Sequence, residues 1–200
     1  MFRKQIICYI QKVVLGAINV FCKGVAMKND YNKFLEGLEG IEFVKTSDED
    51  IARLKELFSD KIPEILLETY AEHVPADDVE FGDFVFYGID RIIEENSDYV
   101  PGANIHPFGL FTFASTFDGD SICFDSNNST YPVYQCSHEL LGDEDEISIY
   151  KGGKFHDMPF TYENVIKVSA CLADSFEDFA TDLLNDDAGT YSVTEMLEDF

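Results

Sequence analysis

Tryptophan is absent from the 200 residues, and basic side chains are scarce: 14 Lys and Arg stand against 39 Asp and Glu, a formal net charge of −25. So anionic a chain repels nucleic acid and anionic membranes, which argues against direct nucleic-acid binding. The bland alternative is that the charge serves solubility alone. No CxxC pair occurs, and the five cysteines (Cys8, Cys22, Cys123, Cys136 and Cys171) are odd in number and scattered. They read as reduced thiols in a cytosol. Nucleophile elbows, phosphate-cradling glycine loops and HExxH are missing, which removes the common signatures of hydrolases, nucleotide-binding enzymes and zinc proteases. There is no internal repeat, and no linker within residues 30–185.

What is present can build a core. Hydrophobic residues make up 46% of the chain, with 18 Phe and 10 Tyr in place of tryptophan. That suffices for one folded domain and argues against general disorder.

The scarcity of positive charge is uneven. Residues 1–28 hold Arg3, Lys4, Lys12, Lys23 and Lys28 and no acid, so the remaining chain carries nine basic and 39 acidic residues. Within that segment "IICYIQKVVLGAINVFCKGVAM" is apolar but broken by Gln11, Lys12, Asn19 and Lys23. A membrane span needs about 20 mostly apolar residues, and a signal peptide needs an unbroken apolar centre with small residues at the cleavage site. Neither is well met. Three readings stand for residues 1–27: an extra helix, a weak anchor, or a leader upstream of a start at Met27. Membrane contact is expected only through this segment. The division that follows is residues 28–185 as a single domain and 186–200 as an acidic tail.

In the body, Asp30 is placed to cap a helix with Tyr31, Phe34, Leu35 and Leu38 apolar, ended by Gly40. "IEFV" (41–44) reads as a short strand. Thr46 and Glu49 have capping-box spacing before a helix with Ile51, Leu54, Leu57 and Phe58 on one stripe. Pro63 suits the first turn of "PEILLETYAEHV", with Leu66, Leu67, Tyr70 and Val74 facing inward. The period then changes. "VEFGDFVFYG" (79–88) reads as one strand with a bulge at Gly82, and "IDRIIEEN" (89–96) as a helix. Pro101, Gly102 and Pro107 mark a loop.

"FASTFDGDSICFD" carries Asp118, Asp120 and Asp125 close together. An EF-hand calcium loop needs alternating oxygen ligands over about twelve residues ending in Glu, and this stretch has neither the spacing nor the Glu. Asp118-Gly119 instead suits a two-residue hairpin turn. That turn pairs Phe117 with Asp120, Ser115 with Ile122 and Phe113 with Phe124. It puts Phe111, Phe113, Ile122 and Phe124 on one face, and Thr112, Thr116 and Asp125 on the other. "YPVYQCSH" (131–138) reads as a strand, "GDEDE" (142–146) as an acidic loop, and "ISIYKGGKFH" as a hairpin turning at Gly152-Gly153. Ser175 and Asp178 open "FEDFATDLL", with Phe176, Phe179, Ala180, Leu183 and Leu184 as its buried stripe. A last helix can follow Ser192.

Candidate chemistry is thin. His73, His106, His138 and His156 are scattered. Cys136 and His138 could share one face of a strand, but zinc wants three or four ligands and no partner pair is visible, and a nucleophile pair lacks support for the same reason. Sequons at Asn127 and Asn128 matter only in a secreted chain. Carboxylates are so abundant that chance pairs carry little weight. No cofactor or metal is expected. Asp77, Asp78, Asp143, Glu144, Asp145 and Glu146 are candidates for an acidic partner-binding surface.

The order of motifs resembles the SUKH superfamily of bacterial immunity proteins and fungal cell-wall-assembly-regulator-like proteins. The resemblance spans roughly residues 45–185 and rests on three places. Ile62-Pro63 with Tyr70 resembles the family's Leu-Pro helix, Gly119-Asp120 with Asp125 its Gly-Asp hairpin, and Ser175-Phe176 with Phe179 its closing Ser-Phe helix. Two features depart from the pattern: the tryptophan common near the family's start is missing, and residues 1–27 have no counterpart. The resemblance implies an α+β fold, a twisted, mainly antiparallel sheet with helices around it, and a binding protein rather than an enzyme. The expected function is a cytoplasmic immunity protein that neutralises a basic protein toxin, a nuclease foremost, whose cationic cleft an anionic body can occupy. The alternatives are a regulatory or scaffold protein of the same fold with a housekeeping partner and, behind it, a hydrolase with clustered carboxylates and a divalent ion.

Overall fold

The computed structural model describes residues 29–72, 74–142 and 145–197; the segment 1–27, His73, Asp143 and Glu144 lie outside them. The architecture is α+β. Six strands form one antiparallel sheet in the order β10-β7-β6-β5-β4-β3: β3 (Val79–Phe81), β4 (Phe84–Phe86), β5 (Leu110–Thr116), β6 (Ser121–Asp125), β7 (Val133–Cys136) and β10 (Ala170–Ala173). Two small ribbons stand beside it, β1 (Phe43–Val44) with β2 (Val74–Pro75) and β8 (Glu146–Lys151) with β9 (Lys154–Pro159).

One face of the sheet is covered by α1 (Asp30–Gly37), α2 (Asp48–Leu57), α3 (Glu64–Glu72), α4 (Ile89–Ser97) and α8 (Phe176–Asn185). Their apolar stripes meet the sheet as the periodicity predicts. Leu54 and Phe58 of the α2 region, Leu66 and Tyr70 of α3, and Phe176 and Phe179 of α8 are buried against Phe86, Phe113 and Phe124. The expected stripes fail at two points: Val74 is buried but stands in β2, beyond the end of α3, and Leu184 is 40% exposed, because it sits past the line that Phe179, Ala180 and Leu183 bury. Aromatic rings fill the space a tryptophan would take, with Phe113 between Phe124, Phe176 and Phe179 at centroid distances of 5.3–6.2 Å.

The other face was not foreseen. There α5 (Gly102–Ile105), α6 (His138–Leu141), α7 (Tyr162–Val168) and the β8–β9 ribbon bury Leu110, Cys123, Cys136, Ile147, Ile149, Val165 and Val168 in a second core. Covered on both sides, every residue of β5 and β6 is buried.

Local corrections have plain causes. Asn29, not Asp30, caps α1, accepting the Asn32 N–H at 2.8 Å. Asp30 takes the first turn, where its charge suits the positive end of the helix. Ser47, not Thr46, caps α2, and Thr46 is turned inward with its hydroxyl donating to the Tyr70 carbonyl. Residues 79–86 are two strands, because Gly82 at φ 56° makes a two-residue turn that pairs Phe81 with Phe84. The stretch 101–108 holds α5 and a 3-10 turn rather than a plain loop.

The β5–β6 hairpin forms, with a different turn and register. Thr116 N–H donates to the Asp120 carbonyl and Gly119 N–H to the Thr116 carbonyl, and only Gly119 (φ 94°) has positive φ. The loop is therefore three residues long with glycine in the left-handed position. Ser115 pairs with Ser121 and Phe111 with Phe124, with a register shift between Thr112 and Ala114. The four residues Phe111, Phe113, Ile122 and Phe124 still face the first core together, because the extra residue at the bulge resets the alternation. At Gly152-Gly153 both φ angles are positive (63° and 84°) and Lys151 pairs with Lys154, as the sequence predicts.

Beyond α8 the chain turns at Asp186 (φ 60°), and α9 (Val193–Met196) starts in a complete Ser192–Glu195 capping box. The side chain of Gln135 holds this region like a strand neighbour, accepting the Tyr191 N–H and donating to the Tyr191 carbonyl, both at 2.8 Å.

Candidate interaction surface

Asp77 and Asp78 are exposed in the short connection from β2 to β3. The β1–β2 ribbon carries that connection toward the start of α4, where Gly88 lets the backbones close up: a Cβ there would lie 3.1 Å from the Pro75 carbonyl. On the other side α2 approaches α4, tied by Arg53, which reaches Asp50 at 3.1 Å and Asp90 at 2.9 Å. Between these walls lies an open groove of about 400 Å³. Five carboxylates line it (Asp50, Asp77, Asp78, Asp90 and Glu94) against Lys45 and Arg91. Exposed Val44, at 43%, adds an apolar floor.

Electrostatics along the groove follow from solvent access. The Ser47 hydroxyl, donating at 2.6 Å, and then Arg53 hold Asp50 below the usual carboxylate range. Arg91 lies against the Tyr99 ring at 4.5 Å and the Tyr87 ring at 5.6 Å and contacts Glu95 at 2.6 Å. Burial works against the Arg91 charge, but Glu95, Tyr87 and Asp78 outweigh it and push Arg91 up. Glu95 moves the other way from what an ion pair alone would do: burial pushes it above its ordinary value despite Arg91. The asymmetry is physical. The Glu95 side chain is 8% exposed while that of Arg91 is 36% exposed, so burial weighs more heavily on the carboxylate than on the guanidinium. Beside this cluster Tyr99 and Val100 stand 46% and 50% exposed.

The remaining sequence candidates lie elsewhere. Asp145 is exposed and Glu146 opens β8 opposite Pro159; neither lines the groove. Asp143 and Glu144 fall outside the described residues. The structure adds Asp50, Asp90 and Glu94, which the sequence reading did not select. Asp90 and Glu94 are four apart on α4, a spacing that puts them on one face, and this was the signal available.

The acidic hairpin and the cysteine–histidine pair dissolve as units. Asp118 is exposed, whereas Asp120 and Asp125 are buried and separately engaged. Asp125 accepts from the Asn127 N–H at 2.9 Å and from the Tyr162 hydroxyl at 2.8 Å. Asp120 accepts from Gln135 Nε2 at 2.8 Å, from the His138 N–H at 3.0 Å and faces His138 Nδ1 at 2.7 Å. Ser137 ends β7 and caps α6, so Cys136 and His138 do not share a strand face. Cys136 points into the second core and His138 toward Asp120. Among the described residues no group of three or more His, Cys, Asp or Glu is placed to hold a metal ion.

These features define the class first: an α+β domain with an open, acidic groove bordered by exposed apolar and aromatic side chains. The chain belongs to the SMI1/KNR4 family (SUKH-1), whose model matches residues 45–182. That family places it among immunity and regulatory proteins that work through protein partners. No curated protein and no solved structure gives a significant match. Among the described residues no helix is long and apolar enough to cross a membrane.

Proposed function

We propose that the protein is a cytoplasmic immunity protein that binds a cognate bacterial toxin, a basic nuclease, and blocks it without catalysis of its own. The observation that carries this reading is the acidic groove formed by Asp50, Asp77, Asp78, Asp90 and Glu94 on a chain of net charge −25, in a family of immunity and regulatory proteins. A nuclease must present cations to phosphate, and a carboxylate-lined groove competes for those cations. Asp77, Asp78 and Glu94 supply charge, while Val44 and Tyr99 supply the apolar contact that slows dissociation. Asp145 and Glu146, exposed at the start of β8, would offer a second acidic surface.

The test is co-expression with the toxin encoded beside the gene. Protection of the host, and loss of protection in Asp77→Lys/Asp78→Lys, is the expected result. Full protection by that charge-reversed variant would remove the groove from the account. Absence of both a neighbouring toxin and protection would favour the regulatory reading within the same family.

A further inference from the structure

We propose that Cys123 and Cys136 form a redox site, a buried thiol pair that closes to a disulfide when the protein meets a peroxide. The two residues lie on neighbouring strands, Cys123 opposite Tyr134 on β6 and Cys136 opposite Ser121 on β7, so they are diagonal neighbours across the pair. Their sulfurs are 3.4 Å apart, and both residues are fully buried in the second core. Both are free thiols. The third described cysteine, Cys171, is exposed on β10 opposite Tyr134, with its sulfur 3.5 Å from the Ala173 carbonyl. Cys136 also meets the Ser169 hydroxyl oxygen at 3.2 Å, whose own proton goes to the Val165 carbonyl at 2.8 Å. That contact holds the Cys136 sulfur beside Cys123 rather than toward the domain surface.

Geometry sets the character of the bond. A disulfide needs sulfurs at about 2.05 Å, and diagonal strand neighbours are spaced more widely than the favoured Cα separation. Closure therefore draws β6 and β7 together and strains the link, which makes it easy to reduce. This suits a reversible site better than a permanent staple. The oxidant is hydrogen peroxide. One thiol, deprotonated, attacks a peroxide oxygen; the O–O bond breaks, a sulfenic acid forms, and the released hydroxide takes up a proton to leave as water. The second sulfur then attacks the sulfenic sulfur, the S–S bond forms, the S–O bond breaks, and a second water leaves with the last thiol proton. Two thiols have lost two electrons and the peroxide has gained them.

Access limits the rate. Neither sulfur reaches solvent, so oxidation waits on local opening of the β8–β9 ribbon and α7 that cover the second core. Burial also pushes the Cys123 thiol up, which keeps it protonated while the core is closed.

Oxidation of the pair does not depend on the proposed toxin. The experiment treats the full-length folded protein with hydrogen peroxide, then denatures it in an alkylating reagent and maps the peptides by mass spectrometry. The expected result is the Cys123 and Cys136 peptides joined and lighter by two hydrogens, with loss of both free thiols and their recovery under dithiothreitol. The same treatment of Cys123→Ser should leave Cys136 alkylatable or trapped as sulfenic acid. Cys123 and Cys136 both still alkylatable after Cys171 has been consumed would overturn the proposal, as would Cys136 joined to another cysteine in preference. If the serine variant does not fold, the map of the native chain decides alone.

Discussion

Asn96 does for the central strand what a neighbouring strand would otherwise do. Its side-chain oxygen accepts the Thr112 N–H at 2.9 Å, and its amide donates to the Thr112 carbonyl at 2.7 Å and the Ile92 carbonyl at 2.8 Å. These bonds satisfy the backbone beside the register shift in β5. Asn96→Ala leaves buried peptide groups unpaired and should cost about 3 kcal/mol, read as a lower denaturant midpoint at unchanged slope. A midpoint within error of the native chain would show that water repairs the bulge. Tyr70 and Tyr87 make a second prediction. Burial pushes both phenols up to about 12 from 10.0. The unfolded chain ionises them near 10, so the folded state's preference for neutral phenols is intact below pH 10 and is lost as pH rises toward 12. Stability should fall by about 3 kcal/mol per tyrosine across that window. The share of tyrosinate absorbance that is lost in Tyr70→Phe and Tyr87→Phe should appear together with unfolding; its appearance well before unfolding would contradict it.

Close approach between elements depends on absent side chains. A Cβ at Gly102, at the start of α5, would collide with the Glu95 carbonyl at the end of α4. Because that obstacle is backbone, Gly102→Ala should cost about 2 kcal/mol, measurable by thermal or denaturant unfolding. The β5–β6 turn depends on conformation instead: a Cβ at Gly119 would meet only His138 Nδ1, at 4.0 Å, but the residue has φ 94°. Gly119→Ala should therefore cost about 1 kcal/mol through strain alone, and a cost above that of Gly102→Ala would reverse this ranking of crowding over strain. The β8–β9 ribbon presents Tyr150 and Phe155 directly opposite each other, rings 5.1 Å apart and largely exposed. Their contact supports a ribbon that, among the described residues, borders no other strand.

Across the whole molecule, charge decides how encounters begin. With 39 acidic residues against 14 basic ones, association with a basic partner should be fast at low salt and slow steeply as ionic strength rises. Asp77→Lys/Asp78→Lys should lower the association rate about tenfold at low salt and leave dissociation less affected, as stopped-flow mixing would record. An unchanged rate would mean that the partner approaches another face, and the patch around Asp145 and Glu146 would be the next to reverse.

Periodicity and turn chemistry determined a good deal without any coordinates. The α2, α3, α4 and α8 helices, the glycine turn at 152–153, the presence (though not the length) of the turn at 119, the Ser175 cap and the aromatic face of β5–β6 all follow from local rules, because each is settled by neighbours a few residues away. Caps slipped by one residue at Asn29 and Ser47, where two polar residues stand side by side and only packing chooses which turns inward. The second core, the Gln135 grip on Tyr191 and the nearness of Cys123 to Cys136 were decided by tertiary structure alone. So was the groove, for Asp50, Asp77 and Asp90 stand in three separate segments. Contacts across such distances depend on which faces the sheet presents and which elements close over them, and no local pattern encodes that choice.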